Sequence, residues 1–140
     1  MLEGRVLDGV PCRFVEVLVT GASGFIGGAL VTALCAAGHR PVAAVRGRAV
    51  PAGVDGIEWN PAAGTIDAPA LEGIGGVVHL AGAGIGDRRW TAARRQLVID
   101  SRTRSTKLLA STLVKLDKPP GVFVSGSAVG YYGDRGDDEC

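Results

Sequence analysis

Between Glu16 and His39 the chain carries no charge for 22 residues, Val17 to Gly38, and glycines interrupt that stretch at positions 21, 24, 27, 28 and 38. A run of this length proposes a membrane span, and Gly24-x-x-x-Gly28 inside it proposes helix dimerisation in lipid. The finer pattern points elsewhere. Phe14 to Val19 is a short, β-branched apolar run with Glu16 near its start, as in a buried parallel strand. Phe25 to Ala37 follows with good helix formers, and Gly38 stands where a helix C′ residue belongs. "PVAAVR" reads as a second strand and Ile57 to Trp59 as a weaker third. A short helical stretch near Leu71 precedes a fourth strand, Val77 to Ala81. From Trp90 to about Leu116 the spacing predicts a long helix or a pair of helices. Its stripe is Trp90, Ala93, Leu97, Ser101, Leu108, Thr112 and Leu116. Pro119-Pro120 ends it, and "GVFVSGS" is a fifth strand.

Strands that alternate with helical segments imply right-handed βαβ units. The predicted fold is therefore α/β: a Rossmann-like doubly wound parallel sheet of about five strands, with helices on both faces. That context turns the uncharged run into strand, turn and helix. Five glycines with Thr20 and Ser23 also make a poor lipid-facing helix, so no membrane partner is expected.

Composition changes this picture little. The 140 residues suit one domain, 46% hydrophobic and 21% charged, with net charge +1. Residues 1–13 are expected to be a loose leader, with no apolar core for a secretion signal, and 14–140 the domain. Cys12, Cys35 and Cys140 are scattered, which predicts reduced thiols, a cytoplasmic setting and no metal site. The basic stretch Arg88, Arg89, Arg94, Arg95, Arg102, Arg104 and Lys107 lacks interleaved aromatics, so a solvated helix face is expected and no nucleic acid.

The chemistry concentrates where the first strand meets the first helix. Thr20-Gly21-Ala22-Ser23-Gly24-Phe25-Ile26-Gly27 has the strand–turn–helix context of a dinucleotide cradle, in which glycines let the backbone approach a pyrophosphate. The N–H groups at the helix start then hold it. Gly21, Ser23, Gly24, Phe25, Ile26 and Gly27 are the candidate cofactor contacts, Ser23 either through its hydroxyl or as a helix cap. At the end of the second strand, where an acidic residue would bind the ribose 2′-hydroxyl of NAD, stands Arg46, with Arg48 close behind. A guanidinium suits a 2′-phosphate, so NADP is expected ahead of NAD. Leu80, Ala81 and Gly82 close the fourth strand with small residues along which a cofactor can lie. His79, among Val77, Val78 and Leu80, reads as a packed strand residue.

The spacing Gly-x-x-Gly-x-x-Gly in "TGASGFIGGAL" resembles the short-chain dehydrogenase/reductase superfamily, especially its extended NAD(P)-dependent epimerase/dehydratase branch. "VVHLAGAGIGDRRWTAARRQLVIDSRTRSTKLL" and "FVSGSAVGYYGD" are similar to the atypical epimerase-like family. The resemblance implies an NADP-dependent oxidoreductase or epimerase-like protein, transferring hydride on a small carbonyl or hydroxyl substrate such as a nucleotide sugar. It implies a strand-five serine that hydrogen-bonds the substrate oxygen, a place Ser127 matches, with Ser125 nearby. It also brings Arg89 or Arg102 toward the cleft, and a homodimer built on the Trp90–Leu116 segment is compatible with it. The Tyr-x-x-x-Lys pair of that superfamily is absent: Arg135 follows Tyr131 and Gly136 follows Tyr132, while Lys118 is the last lysine. The resemblance therefore covers a cofactor half that stops before a substrate lobe. A non-catalytic NADP(H)-binding regulatory or sensor module, or a fragment needing a second chain, is the alternative expectation.

Overall fold

Glu16–Thr20 is the strand around which the sheet is built. A computed structural model describes residues 6–7, 10–11, 14–47, 50, 52–86 and 88–127. Near the start of the chain, β1 (Val6–Leu7) and β2 (Val10–Pro11) form a small antiparallel ladder of their own. The main elements then follow as β3 (Glu16–Thr20), α1 (Phe25–Ala36), β4 (Arg40–Val45), β5 (Asp55–Asn60) and β6 (Thr65–Ile66). One 3₁₀ turn, Pro69–Leu71, leads to β7 (Gly76–His79), α2 (Ala92–Leu113) and β8 (Val122–Ser125). The sheet order is β6-β5-β4-β3-β7-β8. All neighbours pair in parallel except β6, which returns antiparallel along β5. The chain winds outward from β3 through β4 and β5, then crosses back to continue through β7 and β8. The reversal lies between β3 and β7, and ligands of such sheets bind outside the strands' carboxyl ends at that point.

Side chains alternate between the two faces of a strand, and here each face has its own helix. Leu18, Val42, Ala44, Trp59 and Val77 pack with Leu109 and Leu113 of α2 and with Leu71 and Ile74. Val19 and Ala43 pack on the opposite face with Ala22 and Val31, flanked by Leu30 and Leu34 of α1. The doubly wound fold expected from the sequence is the one observed. Gly38, at φ +82°, stops α1: its N–H bonds the Cys35 carbonyl and the His39 N–H bonds that of Leu34. Both bonds satisfy orphan carbonyls of the last turn, a Schellman arrangement. Among the described residues no helix is long and apolar enough to cross a membrane.

The third strand and the face of the long helix differ from expectation, and the structure decides between one helix and two. The third strand is longer than Ile57–Trp59, and the turn at 61–64 folds Thr65–Ile66 back on it as a sixth strand. The segment after Trp90 is one helix. Its buried face also differs from the expected stripe. Val98, Ser105, Leu109 and Leu113 are buried, whereas Trp90 and Leu97 are 51% and 52% exposed. Leu108 and Leu116 only flank the core. The buried line passes through a serine, which a hydrophobic pattern discounts, and hydrogen bonds rather than apolar transfer hold that serine inside.

Candidate functional site

Each glycine of the turn between β3 and α1 has its own steric reason. Gly21 adopts φ +73°, and a Cβ there would stand 3.1 Å from the Ala81 nitrogen and the Leu80 carbonyl carbon. Gly21 is therefore the point where the β3 turn touches the exit of β7. At Gly27 a Cβ would lie 2.0 Å from the Gly21 oxygen, so the first turn of α1 rests directly on backbone. Gly24 donates its N–H to the Gly21 carbonyl at 2.9 Å and serves as N-cap. Because Gly24 takes that place, Ser23 does not cap the helix; it is exposed. Among the described residues no side chain caps α1, and its first turn holds no acidic residue. Its leading N–H groups, at Phe25, Ile26 and Gly27, thus have no side-chain cap and no competing carboxylate in that turn. The helix dipole adds partial positive charge at the same point.

Beside this turn lies a cleft of about 190 Å³. Gly21, Ala22 and Ser23 line one side, Ala44, Val45 and Arg46 the end of β4, and Trp59 and Ala81 the remainder. Arg46 is exposed, directly after β4. Trp59, 3% exposed, belongs both to the core and to this wall. Sequence reasoning did not single it out as a site residue. Its signal was only an aromatic in the strand beside the one that Arg46 follows. Arg48 lies outside the described residues.

The exit of β7 is fastened from both sides. The Thr20 hydroxyl accepts the N–H groups of Leu80 and Ala81, each at 3.1 Å. From α2, Ser101 Oγ accepts the Ala83 N–H at 3.0 Å, while the Arg102 guanidinium donates to the Ala83 carbonyl at 3.1 Å. Consecutive residues of the helix thus grip one residue's backbone on its two sides. Arg102 also lies over Gly82, where a Cβ would approach its Cζ to 3.2 Å, and Arg94 donates to the Gly84 carbonyl. Arg102 is held to the loop after β7 and does not line the cleft, while Arg89 is exposed. His79, 4% exposed, is a packed strand residue, as expected, and burial lowers its pKa from the usual 6.5. Ser125 ends β8 opposite His79. Ser127 is exposed two residues further on, and it does not line the cleft. Tyr131, Tyr132, Arg135 and Gly136 fall outside the described residues.

A doubly wound sheet with a glycine turn, an uncapped helix start and a cleft at its reversal point defines a Rossmann-like domain of the short-chain dehydrogenase/reductase type. The sequence model of the NAD dependent epimerase/dehydratase family matches residues 17–140, and the chain belongs to that family. An epimerase family protein of Mycobacterium bovis is 40% identical over 121 residues, which are 86% of this chain and 39% of that protein. The human epimerase family protein SDR39U1, solved with NADPH, is 36% identical with a TM-score of 0.69, over 84% of this chain and 38% of that one. MoeE5, solved in complex with UDP-glucose and NAD, is 32% identical with a TM-score of 0.65, over 84% and 38%. The chain thus spans about two-fifths of the length of these relatives.

Proposed function

We propose that this chain holds an NADP(H) dinucleotide across the β3/β7 reversal, as the cofactor-binding part of an NADP-dependent epimerase-like oxidoreductase. The observation that carries this reading is the turn Gly21-Ala22-Ser23, which lines the same cleft as Arg46 and leads directly into the uncapped start of α1. In this reading the pyrophosphate takes the N–H groups of Phe25, Ile26 and Gly27, with Ser23 beside them. Arg46 takes the 2′-phosphate, and the ribose and nicotinamide side follows Leu80, Ala81 and Gly82. When bound, the nicotinamide supplies hydride chemistry. The chain's own part is to bind and orient it, with Ser127 proposed to hydrogen-bond the oxygen of a small carbonyl or hydroxyl substrate.

A nucleotide sugar is the substrate class favoured by the relative crystallised with UDP-glucose and NAD. NADP is favoured by Arg46 and by the relative solved with NADPH. A charge-assisted contact contributes about 1.5–3 kcal/mol, a preference of about ten- to a hundredfold. The test is a calorimetric titration with NADPH and then NADH, repeated on Arg46→Ala. The expected result is tighter NADPH binding that falls to the NADH level in the variant. An equal affinity for both in the unaltered protein removes Arg46 from the reading, and binding of neither removes the cradle.

The non-catalytic binding module is the second reading. It is favoured by the cleft lining, in which Arg46 is the one ionisable side chain among the described residues, beside glycine, alanine, serine, valine and tryptophan. NADPH oxidation with a panel of carbonyl compounds separates the two: turnover that is lost in Ser127→Ala supports the enzyme, and binding without turnover supports the module.

A further inference from the structure

His79 makes more specific contacts than packing a strand requires. Thr20 Oγ1 lies 2.6 Å from its Nδ1 and Ser105 Oγ lies 2.9 Å from its Nε2, while the Trp59 ring meets it edge-on at 6.0 Å between centroids. Three elements, β3, β5 and α2, therefore converge on one imidazole. The place of each proton follows by elimination. Thr20 Oγ1 already accepts two N–H groups, those of Leu80 and Ala81. A hydroxyl has two acceptor sites and one proton, so Thr20 donates its proton to Nδ1. The neutral ring then carries its hydrogen on Nε2 and donates it to Ser105. Ser105 donates its own proton to the Ser101 carbonyl at 2.6 Å. Donation runs in one sense, from the β7 exit through Thr20 and His79 to the backbone of α2.

We propose that His79 is a positioning residue for the dinucleotide site. In its neutral, Nε2-protonated form it holds the Thr20 hydroxyl in the one orientation that fastens Leu80 and Ala81 beside the Gly21 turn, and a proton added to the ring loosens that fastening and weakens dinucleotide binding. The effect on affinity rests on the dinucleotide reading above; the proton arrangement does not. An imidazolium points N–H groups from both nitrogens. Its Nδ1–H would face an oxygen whose two acceptor sites are filled, so the Thr20 hydroxyl must release one of the N–H groups it holds, of which that of Leu80 also reaches the Thr20 carbonyl at 3.3 Å. The contacts about the ring do not titrate: Thr20 from β3, Trp59 from β5, Ser105 from α2 and Ser125 as the register partner on β8. Of the charged groups on these elements, Glu58 of β5 and Arg95 and Lys107 of α2 are exposed, Asp55 of β5 pairs with Arg40, and Arg94 of α2 donates to the Gly84 carbonyl. Arg102 lies on Gly82 and Ala83, Arg104 pairs with Asp100, and Glu16 of β3 pairs with Arg40 at the other end of the sheet. Burial then acts in one direction and keeps the ring neutral at neutral pH. With the folded pKa below the unfolded one, this contribution to stability is complete above about pH 6.5. It is lost as pH falls through the folded value.

The test is ¹⁵N NMR of the histidine ring and of the Leu80 and Ala81 amides in the intact protein from pH 8 to pH 5, with NADH titrated at each pH. NADH is the probe because it lacks the 2′-phosphate, whose own titration near pH 6 would overlap. The expected result is an Nε2–H tautomer at pH 7.5, with both amide signals moving in step with the ring at a midpoint below 6.5. NADH binding should weaken at least threefold one pH unit below that midpoint, and His79→Gln, which takes up no proton, should give a flat profile. An Nδ1–H tautomer overturns the proposal, as do amides indifferent to the ring or NADH binding that is normal at pH 8 and unchanged at pH 5. Absence of both NADH and NADPH binding at pH 8 overturns the dinucleotide reading instead, and the tautomer and amide shifts still decide the proton arrangement. The tautomer, the amide shifts and the NADH profile are all read from the unaltered protein, so the outcome stands whether or not the variant folds.

Discussion

One methyl group has opposite expected effects at two adjacent positions, 27 and 28. A Cβ at Gly27 falls 2.0 Å from a backbone oxygen and 2.7 Å from its carbon, neither of which can swing aside. Gly27→Ala should therefore cost at least the ~1–3 kcal/mol of ordinary overpacking and abolish nucleotide binding. At Gly28 the nearest atom to a Cβ is the Ala22 oxygen at 3.7 Å, an ordinary contact. Gly28→Ala, inside a helix, should stabilise by about 0.5–1 kcal/mol. Urea melts of both variants check the pair, and equal effects would mean that the turn does not rest on the helix as described. At this scale the glycines were legible because their spacing is itself the signal. Thr20, Trp59 and Ser105 were not read as site residues, because their roles arise from neighbours distant in sequence. Thr20 and Leu80 are 60 positions apart, and His79 and Ser105 are 26 apart.

At the scale of elements, α1 was readable almost to its last residue, since Gly24 stands at its N-cap and Gly38, at φ +82°, follows its end where the backbone geometry calls for glycine. For α2 the existence of the helix was legible and its inward face was not. Apolar residues occur all round it: Leu97 and Ile99 are exposed while Val98 between them is buried. Two leucines separate the observed face from the expected stripe. Leu109→Ala removes a side chain that is 0% exposed and should cost about 2–5 kcal/mol. Leu97→Ala should change stability by less than about 0.5 kcal/mol. Denaturant unfolding of the two variants distinguishes the faces, and a large loss at Leu97 would restore the stripe. The same leucine bears on assembly. Trp90 and Leu97 each expose about half their surface, and sedimentation of Leu97→Glu against the parent protein tests the homodimer that the family resemblance allows through this segment.

Across the whole molecule the sheet is unevenly covered. β3 and β7 lie inside the order β6-β5-β4-β3-β7-β8, and Leu18, Val19 and Val77 are 0% exposed. At one edge, Val122, Phe123 and Val124 of β8 are exposed at 55%, 37% and 50%. Local opening is easiest where few apolar contacts hold a strand. Amide exchange should therefore be slowest in β3 and β7 and fastest in β8 and β6, with bound NADPH slowing the exit of β7 most among the loops. Exchange as slow in β8 as in β3 would contradict this gradient.

The α/β alternation, the glycine turn, the helix that follows it and the cation after the second long strand are local in character. A few adjacent residues determine each through backbone sterics or charge, so the sequence alone settled them. The sixth strand, the inward face of α2, the double grip of Ser101 and Arg102 on Ala83, and the Thr20–His79–Ser105 chain were decided only in three dimensions. Each depends on which polar group meets which partner once β3, β7 and α2 are packed together. A buried serine or histidine is stable only where its hydrogen bonds are met, and those partners come from the fold, not from adjacent positions in the chain.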